Sequence, residues 1–437
     1  MTKYDVIISG AGLAGLTLTS LLSKRCPSIL IKLIDSKPSK PVLSVKSPDY
    51  SAECIAWNNT SKQVFEEIGI WANLEQHRVQ HVKYMNVWDA CSSSKISMNF
   101  ENSQPTAYII QNNIALSVLQ HHVDGLDNVE QIFNCKIDAI DCSDHSQVKL
   151  NVNGADPMSC KLLVSAEGHN SQIRNMQGFG CSQLDYDCLA SVVVMKALNT
   201  DPSAAYQRFL PNGPIASLPL DNDMCCVIWF ISMNDKHSLQ SCTDTEFVDK
   251  VNYAFSNTTD SNLFTVKLNS ILDTSIENIK YVLNKTFLTN IMMDKAEFDA
   301  PTYQSVLRDT QRFFPIITRL ACHFVKPRIV LIGDSAHRMH PLAGQGANVG
   351  IEDIRSLVNV ISEQTESGCD IGEMSGLKKY ERTRQPLVVG KALLMDGIYR
   401  LFSTSFTPAV AFRSFGITVF DRIRLMKQFS LDTANKG

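Results

Sequence analysis

Short apolar runs that end in glycine or a carboxylate predict the strands of an α/β fold. Val6 to Ser9 is predicted as a strand, with a helix following through about Lys24 and a second strand from Ile29 to Ile34. A further apolar run, Leu162 to Val164, precedes Glu167-Gly168. A predicted strand at Ile329 to Ile332 precedes Gly333-Asp334.

A loop rich in glycine follows the last of these strands and leads into an amphipathic helix. The loop contains Pro341, Gly344, Gly346 and Gly350. The helix is expected to begin at about Ala347, and apolar side chains recur on one face at Ile354, Leu357, Val358 and Ile361. Two other segments, Leu189 to Leu198 and Cys225 to Ile231, are rich in β-branched and aromatic residues and are predicted strands.

Length and composition limit the classes of function. At 437 residues the chain is long enough for two domains or one composite fold. A net charge of -3 offers no basic field for nucleic acid. The 13 cysteines include no Cys-x-x-Cys pair, which favours a reducing compartment, and the spaced histidine pairs lack further ligands, so we expect no metal site. Without a long apolar run or a signal peptide, a cytoplasmic location is expected.

The N-terminal strand-turn-helix carries a dinucleotide fingerprint. In such a turn the first glycine permits a tight bend, the second lets the backbone approach a pyrophosphate, and the third lets helix and strand pack closely. Asp35 ends the second strand, where its carboxylate can accept hydrogen bonds from a ribose. The residues expected at the pyrophosphate are Gly10, Gly12, Leu13, Ala14 and Gly15.

The second glycine-rich turn favours FAD over a nicotinamide as the bound dinucleotide. A nicotinamide dehydrogenase needs one fingerprint, whereas FAD must also be held along its ribityl chain and ring. Asp334 is expected to accept hydrogen bonds from ribityl hydroxyls, and the helix that follows would stabilise reduced flavin by about 1 kcal/mol through its dipole. The residues expected around this end of FAD are Gly333, Asp334, Pro341, Gly344, Gln345, Gly346, Ala347 and Asn348.

These segments carry a family resemblance. The fingerprint, LLVSAEGHNSQIR (Leu162 to Arg174) and IGDSAHRMHPLAGQGANVG (Ile332 to Gly350) resemble the motifs of single-component aromatic-ring flavin monooxygenases, the para-hydroxybenzoate hydroxylase group. Within that group the chain most resembles the ubiquinone-biosynthesis hydroxylase family, also through YQRFLPNGPIASLPL (Tyr206 to Leu220), EEIGIW (Glu66 to Trp71) and YERTRQP (Tyr380 to Pro386).

The resemblance implies a discontinuous fold. We expect a Rossmann-like FAD-binding domain, an interleaved and mostly β substrate domain, and a helical C-terminal region. The FAD-binding domain would comprise residues 1–75, 105–180 and 300–375, the substrate domain 76–104 and 181–299, and the helical region 376–437.

The resemblance also implies the chemistry. NAD(P)H would reduce bound FAD, and the reduced flavin would use O2 to hydroxylate the ring of a polyprenylated phenol in ubiquinone biosynthesis. Glu167, Gly168 and Arg174 would belong to the cofactor site, with Arg174 meeting the NAD(P)H phosphate or pairing with Glu167. Pro341 would lie on the reactive side of the flavin. His340 is a candidate acid-base catalyst, although histidines on this turn also serve to support the loop.

Two departures from the family leave alternatives open. The middle motif has Glu167 where the family has aspartate, and no arginine lies between Arg25 and Arg78, where the family usually has one that helps to hold the flavin. Either change could weaken FAD binding or slow its reduction. The alternatives are a non-catalytic member of a ubiquinone-biosynthesis assembly and a hydroxylase of another small aromatic compound. Flavin-dependent halogenation is disfavoured because the chain lacks a Trp-x-Trp-x-Ile-Pro segment, its 4 tryptophans being far apart.

The segment from Tyr399 to Phe429 combines many apolar residues with cations. One interpretation is that its helices pack on the FAD-binding domain with the cations outward. The other is a surface that contacts lipid or another protein of ubiquinone biosynthesis, which would place the protein at the inner face of a membrane.

Overall fold

Two large sheets and one small sheet, with helices around them, make up the molecule. A computed structural model describes residues 2–39, 41, 43, 49–92, 94–99, 105, 107–221, 223–257, 270–271, 274–275, 278 and 296–422. The helices are α1 (Leu13–Arg25), α2 (Asn59–Ile68), α3 (Trp71–Gln76), α4 (Asn112–Asp124), α5 (Gln172–Met176), α6 (Asp235–Ser241), α7 (Asp244–Ser256), α8 (Gly346–Glu366), α9 (Met374–Ser403) and α10 (Thr407–Arg422).

The strands are β1 (Thr2–Ser9), β2 (Ile31–Ile34), β3 (Cys54–Trp57), β4 (Val79–Val82), β5 (Tyr84–Asp89), β6 (Lys95–Asn99), β7 (Ala107–Gln111), β8 (Val129–Ile132), β9 (Ile137–Asp141), β10 (Val148–Val152), β11 (Met158–Ser165), β12 (Cys181–Asn199), β13 (Ala204–Phe209), β14 (Ile215–Pro219), β15 (Met224–Ser232), β16 (Thr302–Ala321), β17 (Val325–Lys326), β18 (Ile329–Leu331) and β19 (His337–Arg338).

The first large sheet is the dinucleotide-binding core. Its main path is β17-β18-β11-β1-β2-β8, and β1 lies parallel to both β11 and β2. Helix α1 follows β1 and is buried along most of its length because α4 and α8 pack beside it. Its exposed surface is therefore small, which explains why small and apolar residues occur all round it. The carboxyl ends of the parallel strands open toward one edge, where ligands bind in folds of this kind.

The second large sheet forms a wall. Its order is β19-β16-β12-β15-β14-β13-β5-β6, and its described pairs are antiparallel except for β13 with β5. Alternate residues along the strands pack into two separate hydrophobic clusters, one on each face. The structure differs from the predicted boundary at residue 300, because β16 pairs along β12 in this wall. The small sheet, in the order β3-β7-β4, is antiparallel throughout.

The C-terminal helices pack in two different places. Helix α9 lies on α8 and on β17 of the first sheet, whereas α10 lies on β6 of the wall. The first interpretation, in which the cations of this segment point outward, does not hold for Arg413, whose side chain is buried, whereas Arg400 is exposed. Residues 423–429 of the basic apolar segment lie outside the described residues. No helix within the described ranges has the length and apolar character needed to cross a bilayer.

A buried ion pair joins α10 to the wall. The Asp89 carboxylate accepts hydrogen bonds from Nε (2.9 Å) and Nη2 (3.1 Å) of Arg413, and their side chains are 1% and 0% exposed. Arg413 also donates to the carbonyls of Leu401 and Phe402 at the end of α9 and of Thr404 just after it. The guanidinium thus links the end of β5 to the junction between the C-terminal helices.

The Asp89→Asn variant should lose stability, because Arg413 would keep its charge in a buried site with no carboxylate. We expect the free energy of unfolding to fall by about 3 to 5 kcal/mol. The matched control is Glu363→Gln, which breaks the exposed pair with Lys379 and should cost less than about 1 kcal/mol. Urea unfolding followed by circular dichroism measures both, and equal losses would contradict a structural role for the buried pair.

Candidate functional site

A cavity of about 1200 Å³ lies where the first sheet faces the wall. The three motifs line one part of it, and strands of the wall line the other. The predicted site residues that line it are Gly10, Gly12, Leu13, Ala14, Asp35, Glu167, Gly168, Gly333, Asp334, Pro341, Gly344, Gln345, Gly346 and Ala347. Those that do not line it are Gly15, Arg174, His340 and Asn348.

The glycines of the N-terminal turn serve different purposes. Gly10 has a φ of +108°, and a Cβ there would lie 2.4 Å from the Ala166 carbonyl oxygen. A Cβ on Gly15 would lie 1.7 Å from the Gly10 carbonyl oxygen, so these two glycines are required by backbone packing. A Cβ on Gly12 would meet no atom within 4 Å. Gly12 therefore keeps space free on the cavity side, where a pyrophosphate could approach the backbone.

Asp35 shapes the far end of the same turn. Its Oδ2 accepts a hydrogen bond from the Ala11 amide (2.6 Å) and its Oδ1 accepts one from the Lys37 amide (2.7 Å). The carboxylate is half-buried and lines the cavity, so lone pairs remain available to a ribose hydroxyl. Lys37 and Lys136 line the same end and supply positive charge there.

The Glu167 carboxylate is fully engaged in hydrogen bonds. Oε1 accepts from the Ser9 hydroxyl (2.8 Å), and Oε2 accepts from the Ser171 hydroxyl (2.8 Å). Oε2 also accepts from the amides of Gln172 (2.8 Å) and Ile173 (3.0 Å), which are free N–H groups at the start of α5. The side chain thus ties β1 to the helix after β11.

Arg174 joins the middle motif to the third motif. Its side chain is buried, with Nη1 donating to the Ser335 carbonyl (3.1 Å) and Nη2 to the His169 carbonyl (2.8 Å). These contacts differ from both expected roles, because no ion pair with Glu167 is formed among the described residues and the guanidinium does not line the cavity. Burial lowers the pKa of Arg174.

Asp334 faces the cavity with a free carboxylate. It makes no hydrogen bond to the part of the chain that the structure describes, and its surface is open to the cavity. The side chain is exposed to the cavity, yet the surrounding protein partly desolvates the carboxylate and raises its pKa, while His337, Arg338 and His169 oppose that shift. The carboxylate therefore has no hydrogen-bond donors from the described protein, and the hydroxyls of a sugar alcohol could supply them.

The turn that presents Asp334 is held by the buried carboxylate of Asp353 on α8. Oδ2 accepts from the Gly333 amide (3.1 Å) and lies 2.5 Å from Nε2 of His337, and Oδ1 accepts from Nε of Arg384 (2.8 Å). Burial alone would raise the pKa of Asp353, but His337 and Arg384 more than offset it and the pKa lies below its ordinary value. His337 therefore supports the loop.

The start of α8 presents open backbone to the cavity. Gly344 has a φ of +60°, and a Cβ on Gly344 or Gly346 would meet no atom within 4 Å. Asn348, one turn later, is buried: its Oδ1 accepts from the Asn58 amide (3.0 Å) and its Nδ2 donates to the Ala56 carbonyl (2.9 Å). Asn348 thus anchors the helix to the strand β3 rather than facing the cavity.

His340 lies in an aromatic cage. Its ring centroid is 4.5 Å from that of Tyr399, 4.6 Å from that of Tyr186 and 5.5 Å from that of Phe230. Neither ring nitrogen has a hydrogen-bond partner in the described structure, and burial lowers the pKa of His340 to about 4, with Asp396 opposing the shift. The ring is neutral near pH 7. Acid-base catalysis by His340 stays a prediction. Because His340 does not line the cavity, its position does not favour that role.

Several lining residues are absent from the sequence prediction. They come from the wall and its edges, and include Met85, Met98, Gln207, Ala216, Ile228 and Phe314. Period-2 alternation along β13 and β15 could have shown that one face of each strand is buried. It could not have shown which of the two faces meets the cavity, since both faces are largely apolar.

Sequence comparisons identify relatives over the whole chain. The FAD binding domain family matches residues 3–285 and 294–394. The Homo sapiens protein named ubiquinone biosynthesis monooxygenase COQ6, mitochondrial, is 31% identical, and the alignment covers 100% of this chain and 93% of the relative. The Schizosaccharomyces pombe protein of the same name is 26% identical, with 100% and 92% covered.

Solved structures share the fold. The para-nitrophenol 4-monooxygenase PnpA from Pseudomonas putida superposes with a TM-score of 0.71 at 16% identity, covering 100% of this chain and 99% of that one. PqsL from Pseudomonas aeruginosa, in complex with 2-aminobenzoylacetate, also has a TM-score of 0.71, at 14% identity and with 95% and 99% covered. From the full-length sequence matches we conclude that the chain belongs to the FAD binding domain family, among the ubiquinone biosynthesis monooxygenases, and is an FAD-dependent monooxygenase.

Proposed function

We propose that this protein uses NAD(P)H and O2 to hydroxylate the aromatic ring of a polyprenylated phenol in ubiquinone biosynthesis. The observation that carries the proposal is a single cavity with two unlike parts. One part has the open glycines and carboxylates of a dinucleotide site, and the other is an apolar wall suited to an aromatic ring and its isoprenoid tail.

The residues of the first part fit FAD. Open backbone at Gly12, Gly344 and Gly346 leaves room for a pyrophosphate at one end and a flat ring at the other. The free carboxylate of Asp334 is suited to ribityl hydroxyls between them. Bound FAD would supply the electron transfer from the nicotinamide donor and the activation of O2.

The protein's own part in the reaction is to bind, orient and exclude water. Pro341, with its fixed φ, would shape the pocket beside the ring. The N-terminus of α8 points its free N–H groups toward the same place, where they would stabilise negative charge. The apolar strands of the wall would keep water from the reacting atoms.

The departures from the family do not favour a non-catalytic protein. Glu167 keeps a full set of hydrogen-bond donors, so the longer side chain substitutes for aspartate. Arg78, the first arginine after the gap, donates to the Asp49 carbonyl and does not line the cavity. Lys37 and Lys136 would supply the positive charge near the dinucleotide instead.

The C-terminal helices support the proposal of a peripheral membrane contact. Large apolar side chains are exposed on these helices and on the turn between them, at Leu387, Leu393, Leu394, Phe406, Phe412 and Phe415. A surface of this kind favours contact with lipid or with another protein of the same pathway.

The cytoplasmic location expected from the sequence differs from that of the relatives, whose names place them in mitochondria. We therefore propose a mitochondrial location.

Cells that lack the protein should accumulate a prenylated phenol that misses one ring hydroxyl. Mass spectrometry of lipid extracts would identify the compound, and restoring the protein should remove it. If the protein were instead a non-catalytic member of an assembly, the purified protein should carry no FAD. A normal ubiquinone content in the deleted cells would contradict the proposed pathway.

Gly12→Val should abolish FAD binding while the fold survives. The φ of -84° at Gly12 suits valine, and the added atoms enter open space that the pyrophosphate would need. Flavin absorbance per protein measures the loss. In contrast, Gly10→Ala should destabilise the fold itself, because its Cβ meets the backbone of Ala166. Stoichiometric FAD in a folded Gly12→Val protein would argue against this site.

Glu167→Asp should leave FAD content and the rate of flavin reduction nearly unchanged. Gly168, with a φ of +78°, offers the adjustable backbone that the shorter carboxylate needs. Glu167→Ala should impair both properties, because the N–H groups of α5 and the Ser9 hydroxyl lose their acceptor. Anaerobic stopped-flow reduction compares the three proteins, and equal rates in all of them would show that the middle motif is not needed for the site.

A further inference from the structure

Apart from Arg338 at the edge strand β19, one polar side chain interrupts the apolar lining that the described wall strands give to the cavity. Along β13, Ala205 and Gln207 line the cavity, whereas Tyr206 packs into the cluster on the opposite face. Gln207 pairs across the sheet with Ala216 of β14 and Val87 of β5. Among the described lining residues on β5, β6 and β12 to β16, Gln207 is the one with a polar side chain.

The Gln207 amide has no protein partner. The residue is 7% exposed, and it makes no side-chain hydrogen bond to any part of the chain that the structure describes. Its cavity-lining neighbours in the sheet, Ala205, Ala216 and Ile228, have only carbon in their side chains. The amide atoms are not among the fully enclosed polar atoms, so they keep surface that is open to the cavity, where their hydrogen-bonding capacity is unused by protein. The position thus calls for a polar group that enters from the cavity.

A side-chain amide can form hydrogen bonds with the hydroxyl group of a phenol. Its oxygen accepts and its NH2 group donates, so it can accept the phenol O–H and donate to an oxygen on the neighbouring ring carbon. Its place on a central strand of a paired sheet gives it a rigid base, which is what regioselective positioning requires. An apolar wall alone would bind the ring and tail without selecting which edge of the ring faces the flavin.

We propose that Gln207 is a substrate-positioning residue that binds the hydroxyl group of the phenol ring and thereby determines which ring carbon is presented for hydroxylation. This inference rests on the proposed function, since it assumes an aromatic substrate with a ring hydroxyl. Gln207 takes no part in proton or electron transfer. The hydroxyl-bearing edge of the ring would be held by this side chain, while the wall around it holds the carbon surface.

The test compares Gln207→Met with the unaltered protein, both loaded with FAD. The probes are a geranyl-substituted phenol and its O-methyl ether, which has lost the O–H donor. Calorimetric titration of the oxidised proteins measures binding without turnover. We expect the unaltered protein to prefer the phenol by about tenfold, as one hydrogen bond would provide, and Gln207→Met to bind both probes equally.

Further measurements separate positioning from a structural role. The unfolding temperature of Gln207→Met should hold or rise, because methionine has the same length and no amide to satisfy. Less product should form per NAD(P)H consumed, because a ring that is held loosely is hydroxylated less often. The control Leu218→Met changes the shape of the same wall without its polarity and should keep the preference for the phenol.

The outcomes are distinct. Loss of the preference in Gln207→Met, with the preference kept in Leu218→Met, supports the proposal. A preference that persists in Gln207→Met overturns it and leaves the proposed function intact, because the hydroxyl would then be bound by another group. Failure of the unaltered, FAD-loaded protein to bind or hydroxylate the phenol overturns both.

Discussion

The buried carboxylate of Asp353 is the contact on which the geometry of the flavin end depends. It binds the turn at Gly333, the ring of His337 and the guanidinium of Arg384, so that one charge joins the third motif to α8 and α9. Arg384, on α9, also donates a hydrogen bond to Glu352, which lies next to Asp353 on α8. A buried charge is tolerated only when it is paired and hydrogen-bonded, and this network meets both conditions. The turn that presents Asp334 is therefore held by contacts within the protein itself.

The middle motif connects to this network from the other side. The Gly168 amide donates to the Ser335 hydroxyl (3.1 Å), and Arg174 donates to the Ser335 carbonyl. Glu167 in turn holds β1 and α5 together. The three motifs are thus one connected structure, although about 320 residues separate the first from the third. This explains why Arg174 and Asn348 lie inside the protein: both position backbone that the cofactor would contact.

The cavity joins two surfaces with different physical properties. Its dinucleotide part is polar, with open backbone and carboxylates, as a ligand with hydroxyls and phosphates requires. The wall is apolar because its strands bury both faces, one against the cavity and one against α7. Such a cavity can hold a charged cofactor and an apolar substrate in contact while excluding bulk water. Gln207 is a polar exception on this apolar wall. The exposed apolar residues of the C-terminal region form a separate surface outside the cavity.

The sequence alone determined the elements whose signals are local. The fingerprint turn, the strands before Glu167 and Gly333, and the helix after the glycine loop were predicted because glycine spacing and apolar periodicity report backbone requirements directly. The family resemblance then indicated the flavin and the reaction. Only the tertiary structure decided which residues face the cavity, since Arg174, His340 and Asn348 lie in the motifs but point into the protein. It also decided that β16 belongs to the wall, that Arg413 is buried, and that Gln207 meets the cavity, because each depends on contacts between segments far apart in the chain.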